Sequence, residues 1–230
     1  MSVGSGGRGP LVAAAFASGG GTNLQALLDH RPADPCWRIG LLVADRDGIG
    51  ALDRARRAGV PTRVIRTRGR SQADIAADTL VALEDHGVEV VFLAGYLKLV
   101  PAEVVARFRR RILNIHPALL PGFGGEGMWG HHVQEAVIAS GARLSGPTVH
   151  FVDEEYDRGS IVAQWPVPVL SDDTPEVLAA RVLQVEHRLY PLAADHVCRA
   201  IAEGREPGPL ALAGEGFALV AGLPGSGLTP

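Results

Sequence analysis

From residue 11 to about 116, short runs of unbroken apolar residues alternate with segments whose apolar positions recur every three or four residues. "LVAAAFAS" (11–18) predicts a buried strand and "TNLQALLDH" (22–30) a helix. "RIGLLVAD" (38–45) and "PTRVIRT" (61–67) predict strands around a helical "GALDRARRAG". "SQADIAADTLVALEDHG" (71–87) predicts an amphipathic helix, and "VEVVFLAGY" (88–96) a strand apolar on both faces. "PAEVVARFR" predicts a short helix opened by Pro101, and "RILNIHP" the next strand. Strands buried on both faces and separated by helices specify a mostly parallel, Rossmann-like α/β sheet with flanking helices.

The rhythm changes after Pro117. "PGFGGEGMWG" (121–130) reads as a glycine-rich loop and "HHVQEAVIASG" (131–141) as a helix with Gly141 at its end. "GPTVHFVDE" (146–154) and "SIVAQWPVPVL" (160–170) have no full helix between them, so they predict a long antiparallel hairpin that extends the sheet in its C-terminal half. "SDDTPEVLAARVLQVEHRLYPL" (171–192) begins with Thr174 as cap and Pro175 at the first helical position. Leu178, Val182, Val185, Leu189 and Leu192 form one stripe on it, and Pro191 is expected to kink or divide it. We expect a disordered leader over 1–10, one domain over 11–203 and a Gly/Pro-rich tail over 204–230, with a short docked piece around Phe217–Val220.

Size and composition narrow the function. The chain has 230 residues and a net charge of −3, enough for one α/β domain. That charge does not favour nucleic acid or an anionic membrane, and "RARRAG" and "RFRRR" read as solvated helix faces or ends. Cys36 and Cys198 have no metal-site spacing, so a reducing, cytoplasmic setting is expected. No apolar run is long enough to span a bilayer. "GRGPLVAAAFASGG" has the outline of a secretory leader with Ala15-Phe16-Ala17 as its cleavage site. Only one basic residue precedes the run, however, and cleavage would delete the first strand.

Three constellations could carry chemistry. In "FASGGGTNLQALL" a strand meets three glycines and then a helix start. Glycines allow a tight turn, and the free N–H groups and dipole of the helix favour an anion. No Lys follows, so this is not a Walker loop, and the third glycine of a dinucleotide fingerprint is missing. It suits one phosphate; the plain alternative is a glycine turn capped by Thr22. In "LNIHP", strand alternation puts Asn114 and His116 on one face, with Leu113 and Ile115 on the other. They sit at the carboxyl end of a strand, where open α/β sheets build their clefts. An amide donor beside an imidazole can stabilise a developing oxyanion and move protons; alternatively the histidine packs and the asparagine closes a turn. In "HFVDEEYDRGSIVAQ", most of Asp153, Glu154, Glu155 and Asp157 read as solvated turn residues, although one could pair with an imidazolium. His131, His132 and His150 lack zinc-site spacing, so no metal is expected.

"SGGGTNLQALL", "VVFLAGYLKLV", "LNIHPALLPGF", "GPTVHFVDEEYDRGSIVAQ" and "VEHRLYP", in this order, resemble the phosphoribosylglycinamide formyltransferase family over about residues 11–200. The resemblance implies formyl transfer from 10-formyltetrahydrofolate to the amine of glycinamide ribonucleotide, a step of purine biosynthesis, in a monomer or homodimer. It implies Asn114, His116 and Asp157 as catalytic residues. It also implies Gly20, Gly21, Thr22, Asn23 and Glu186 around the ribonucleotide phosphate and ribose. Leu93, Gly95, Leu97, Lys98, Leu99, Val100, His150 and Asp153 are implied as the folate wall. The first half, to about residue 100, would bind phosphate, and the second half would carry catalysis and folate binding. Leu183 stands where the family usually has a polar residue, and Lys98 where Arg is common, which is not equivalent for a planar contact. The 122–132 loop is longer than in compact members, and Arg70 is a weak candidate for the folate tail. Two other functions share parts of this pattern. A formyltetrahydrofolate deformylase would have an extra domain before the fold and no phosphate loop. A nucleotide-binding module would leave the Asn-His-Asp set idle.

Overall fold

Every run read as a strand contributes to one seven-stranded sheet in the computed structural model, which describes residues 9–210. The leader up to residue 8 and the Phe217–Val220 piece lie outside the described residues. In chain order the elements begin β1 (Leu11–Ala17), α1 (Thr22–Asp29), β2 (Trp37–Ala44), α2 (Gly50–Arg57) and β3 (Thr62–Val64). They continue with α3 (Gln72–Asp85), β4 (Val90–Leu93), α4 (Ala102–Arg107), β5 (Ile112–His116) and α5 (His131–Ala139). Last come β6 (Leu144–Ser145), β7 (Thr148–Phe151), β8 (Ile161–Gln164), β9 (Val167–Pro168) and α6 (Pro175–Ala202).

The strand order is β3-β2-β1-β4-β5-β7-β8. The first five strands run parallel, and β7 and β8 add antiparallel pairs. The order reverses between β1 and β4, which opens a crevice at their carboxyl ends. Leu11, Ala13, Ala15 and Ala17 of β1 face a core shared with α1, α2 and α6. Ala14 and Phe16 face the opposite core, under α3 and α4. Two-sided burial explains why β1 reads as an unbroken apolar run. The leader-like Ala15-Phe16-Ala17 is thus part of a central strand.

Four expectations need correction. The 88–96 run is a strand only over 90–93, because the chain turns at Gly95 (φ +78°). The hairpin breaks at Trp165 and Pro166: β7 and β8 stay in the main sheet, while β6 and β9 pair as a separate two-stranded ribbon. α6 is not divided at Pro191 but runs 28 residues to Ala202. Leu192 is exposed, and the buried stripe continues instead through Ala193, Ala194, Val197, Cys198 and Ile201. Pro191 is tolerated because this face is buried, so packing offsets the loss of one backbone hydrogen bond. Thr174 caps α6 as expected, accepting from the Val177 N–H at 3.3 Å. The start of the tail docks on the sheet edge: Leu210 N–H donates to the Val162 carbonyl at 2.8 Å.

Candidate active site

The carboxyl ends of the strands frame a cavity of about 850 Å³. Strand alternation delivers Asn114 and His116 to it, and antiparallel pairing sets His150 of β7 opposite Asn114. Asp157 follows in the turn between β7 and β8 with φ +56°, a left-handed conformation that Asp tolerates better than most residues. Gly159 lets this turn lie against β7, since a Cβ there would fall 1.7 Å from the Phe151 carbonyl oxygen.

The polar groups converge. Asp157 Oδ2 lies 3.4 Å from His116 Nδ1, and Asp157 Oδ1 lies 3.4 Å from His150 Nε2. Asn114 Nδ2 is 3.1 Å from His150 Nε2 and 3.5 Å from Asp157 Oδ1. His150 Nδ1 is 2.8 Å from the Phe151 carbonyl and so carries a proton there. His150 lines the cavity beside Asn114 and is 2 % exposed.

The glycine-rich loop closes this cluster. His116 Nε2 lies 2.6 Å from the Phe123 carbonyl, and Gly125 N–H donates to Asp157 Oδ2 at 2.9 Å. Burial lowers the His116 pKa, against the opposing pull of Asp157 and the Phe123 carbonyl. Burial alone would raise the Asp157 pKa, but His150, His116 and the Gly125 amide more than offset it and hold the carboxyl below its ordinary value.

The far end of the cavity is built by α1 and α6. Asn23 Nδ2 donates to Glu186 Oε2 at 2.6 Å, and burial pushes the Glu186 pKa up to about 6 despite that bond. Tyr190, one turn further along α6, sends its hydroxyl to the Leu93 and Leu113 carbonyls at 3.0 and 2.9 Å. It fixes the helix over the ends of β4 and β5, so Glu186 is aimed into the cavity. Leu93, Gly95, Leu97, Lys98, Leu99, Val100 and Asp153 all line this cavity, and so does Leu183. The lining therefore draws on both halves of the chain. Of the expected phosphate residues only Asn23 lines this cavity. Gly20 and Gly21 form the turn before α1, and Thr22 faces a neighbouring groove between α1 and α6. Arg70 lies outside the lining and pairs with Asp78 at 2.8 Å.

Sequence reasoning passed over Tyr96, Met128, Trp129, Gln134 and Tyr156, which also line the cavity. The signal was present for two of them: Met128 and Trp129 are large apolar residues in a loop half of whose residues are glycine. Among the described residues no group of three or more His, Cys, Asp or Glu is arranged to hold a metal ion. Among them, too, no helix is long and apolar enough to cross a membrane.

A mostly parallel sheet with an amide and an imidazole at the carboxyl end of β5, met there by a carboxylate from the β7–β8 turn, has the architecture of an α/β enzyme. The chain belongs to the formyl transferase family, whose model matches residues 12–194. It is 46% identical over 198 residues to the chloroplastic phosphoribosylglycinamide formyltransferase of Arabidopsis thaliana, covering 85% of this chain and 68% of that one. The corresponding Vigna unguiculata protein is 47% identical, with 80% and 60% covered. The Homo sapiens trifunctional purine biosynthetic protein adenosine-3 is 36% identical; this chain spans only 19% of its length. Among solved structures, glycinamide ribonucleotide transformylase 1 from Symbiobacterium toebii superposes with a TM-score of 0.77 at 40% identity, covering 86% of this chain and 91% of that one.

Proposed function

We propose that the protein transfers the formyl group of 10-formyltetrahydrofolate to the amine of glycinamide ribonucleotide, as a phosphoribosylglycinamide formyltransferase of purine biosynthesis. The observation that carries this is the cavity itself, with Asn114, His116 and Asp157 in one part and the Asn23–Glu186 pair in another. The mostly apolar wall from Leu93 to Val100 suits a flat, partly apolar folate. Asn23 and Glu186 suit ribose hydroxyls, and the turn at Gly20–Thr22 suits the phosphate.

In this reading Asn114 donates to the formyl oxygen as the substrate amine adds to the formyl carbon. His116 exchanges the Phe123 carbonyl for that oxygen at Nε2. Asp157 holds the imidazole from Nδ1 and orders a water through which the amine proton reaches the departing folate nitrogen. No covalent enzyme intermediate is needed, which agrees with the absence of Cys and Ser among the described residues of the lining. Residues 11–203 act as one domain in a cytoplasmic setting, although the plant relatives are named as chloroplastic.

The test is release of tetrahydrofolate from 10-formyltetrahydrofolate with and without glycinamide ribonucleotide. Release only with the ribonucleotide is expected. Release to water without it would instead establish the deformylase, and no release under either condition would leave only a binding module.

A further inference from the structure

We infer that Arg46 and Arg54 are positioning residues for the ribonucleotide phosphate, each turning a peptide of the glycine turn so that its N–H faces the ligand. The inference rests on the formyltransferase reading above. Three consecutive carbonyls of the turn are held by the segment carrying α2. The Ser18 carbonyl accepts from Arg46 Nη2, the Gly19 carbonyl from Ala51 N–H at 3.1 Å, and the Gly20 carbonyl from Arg54 Nε at 2.8 Å. These peptides are trans, so each carbonyl and the N–H of the next residue point in opposite directions. Fixing the carbonyls of 18, 19 and 20 therefore turns the N–H groups of Gly19, Gly20 and Gly21 away from those donors.

Those N–H groups are bare. Among the described residues, no protein acceptor takes the N–H of any residue from Gly19 to Leu24. The cap position of α1 is Gly21, at φ +74°, so no side chain closes the helix start. A Cβ on Gly21 would fall 2.7 Å from Ala51 Cα, so the close approach of α2 excludes the usual capping side chains from this position. Arg54 reaches on to α1 through Nη1, which donates to Gln25 Oε1 at 3.1 Å. A second observation also points to a ligand. Asn23 is buried at 8 % exposure and lines the cavity, yet its Oδ1 has no partner. A buried acceptor beside a row of free donors matches a sugar phosphate, whose hydroxyls donate and whose phosphate accepts.

The experiment is calorimetric titration of the full chain with ribose 5-phosphate, alongside steady-state kinetics with both substrates. Wild type should bind the probe. Arg46→Ala and Arg54→Ala should each raise its Kd about tenfold, and raise the ribonucleotide KM in step while the folate KM stays unchanged. Arg54→Lys, which keeps a donor, should recover part of the loss. The inference is overturned if wild type does not bind the probe, if both alanine variants bind it as wild type does, or if folate affinity falls equally. Should the arginines control ribose 5-phosphate binding while no formyl transfer occurs, the proposed activity fails and the positioning role stands.

Discussion

Asp157 serves three neighbours at once, facing His116, His150 and the Gly125 amide. Asp157→Asn keeps the size and the tolerance for positive φ but removes the charge. Turnover should fall roughly 10²–10⁴-fold, as for loss of a group assisting proton transfer, while folate binding is kept. Rapid-quench kinetics together with a folate-binding titration would show this; equal losses of both would argue against a role confined to the reaction step. Glu186 makes a different prediction. Its folded pKa is raised from 4.5 to about 6, so the folded state holds the proton more tightly than the unfolded one. The resulting stability is present below the unfolded value and is lost as pH rises through about 6, by ~2 kcal/mol. Denaturant melts of Glu186→Gln should show its stability gaining on wild type across this window, and parallel curves would refute the assignment. At this scale, Asn114 and His116 were legible because strand parity alone pairs them. Asp157 came only from resemblance, since four acids crowd one turn and spacing cannot choose among them. The bond between His150 and Asn114 was not legible, because it depends on which strand lies beside β5, which local sequence does not encode.

At the scale of elements, the turn carrying Asp157 is held against β7 by the absence of a side chain at Gly159. The obstructing atom is a backbone oxygen at 1.7 Å, which cannot move without displacing the strand. Gly159→Ala should therefore cost on the order of 2 kcal/mol or more and also lower turnover, because Asp157 lies two residues upstream. Thermal melts and rates measured on the same preparation would check both effects, and a variant with full activity would contradict the packing argument. Periodicity located nearly every helix and strand, because two-sided burial writes unbroken apolar runs into β1, β2 and β4. It failed where tertiary packing overrode local preference. Pro191 did not divide α6, and the last strand broke at Trp165-Pro166 although its apolar pattern runs on. Helix α3 shows the local rule obeyed: Ser71 Oγ accepts the Asp74 N–H at 3.1 Å, a cap worth about 1 kcal/mol. Helix α1 has no such side-chain cap: the cap position falls on Gly21, and Thr22, which the sequence offered as a cap, is the first helical residue.

Over the whole molecule, one cavity joins residues as distant in sequence as Asn23 and Glu186, and the order of strands brings them together. The parallel half of the sheet was legible from the alternation of runs, and the hairpin from the missing helix after 154. The docking of residues up to Leu210 along β8 was not legible, since a Gly/Pro-rich composition does not announce a partner; it covers an edge otherwise open to pairing with another chain. The loop over the cavity has a practical consequence. Trp37 and Trp165 are buried, whereas Trp129 rides on that loop, 47 % exposed. A carbonyl and an amide of the same loop grip the imidazole and the acid. Occupancy of the cleft should therefore register as a change in indole emission, which Trp129→Phe would abolish; a silent titration would mean the loop stays put when substrate arrives. The protein thus carries its own optical gauge, read without label or coupling enzyme.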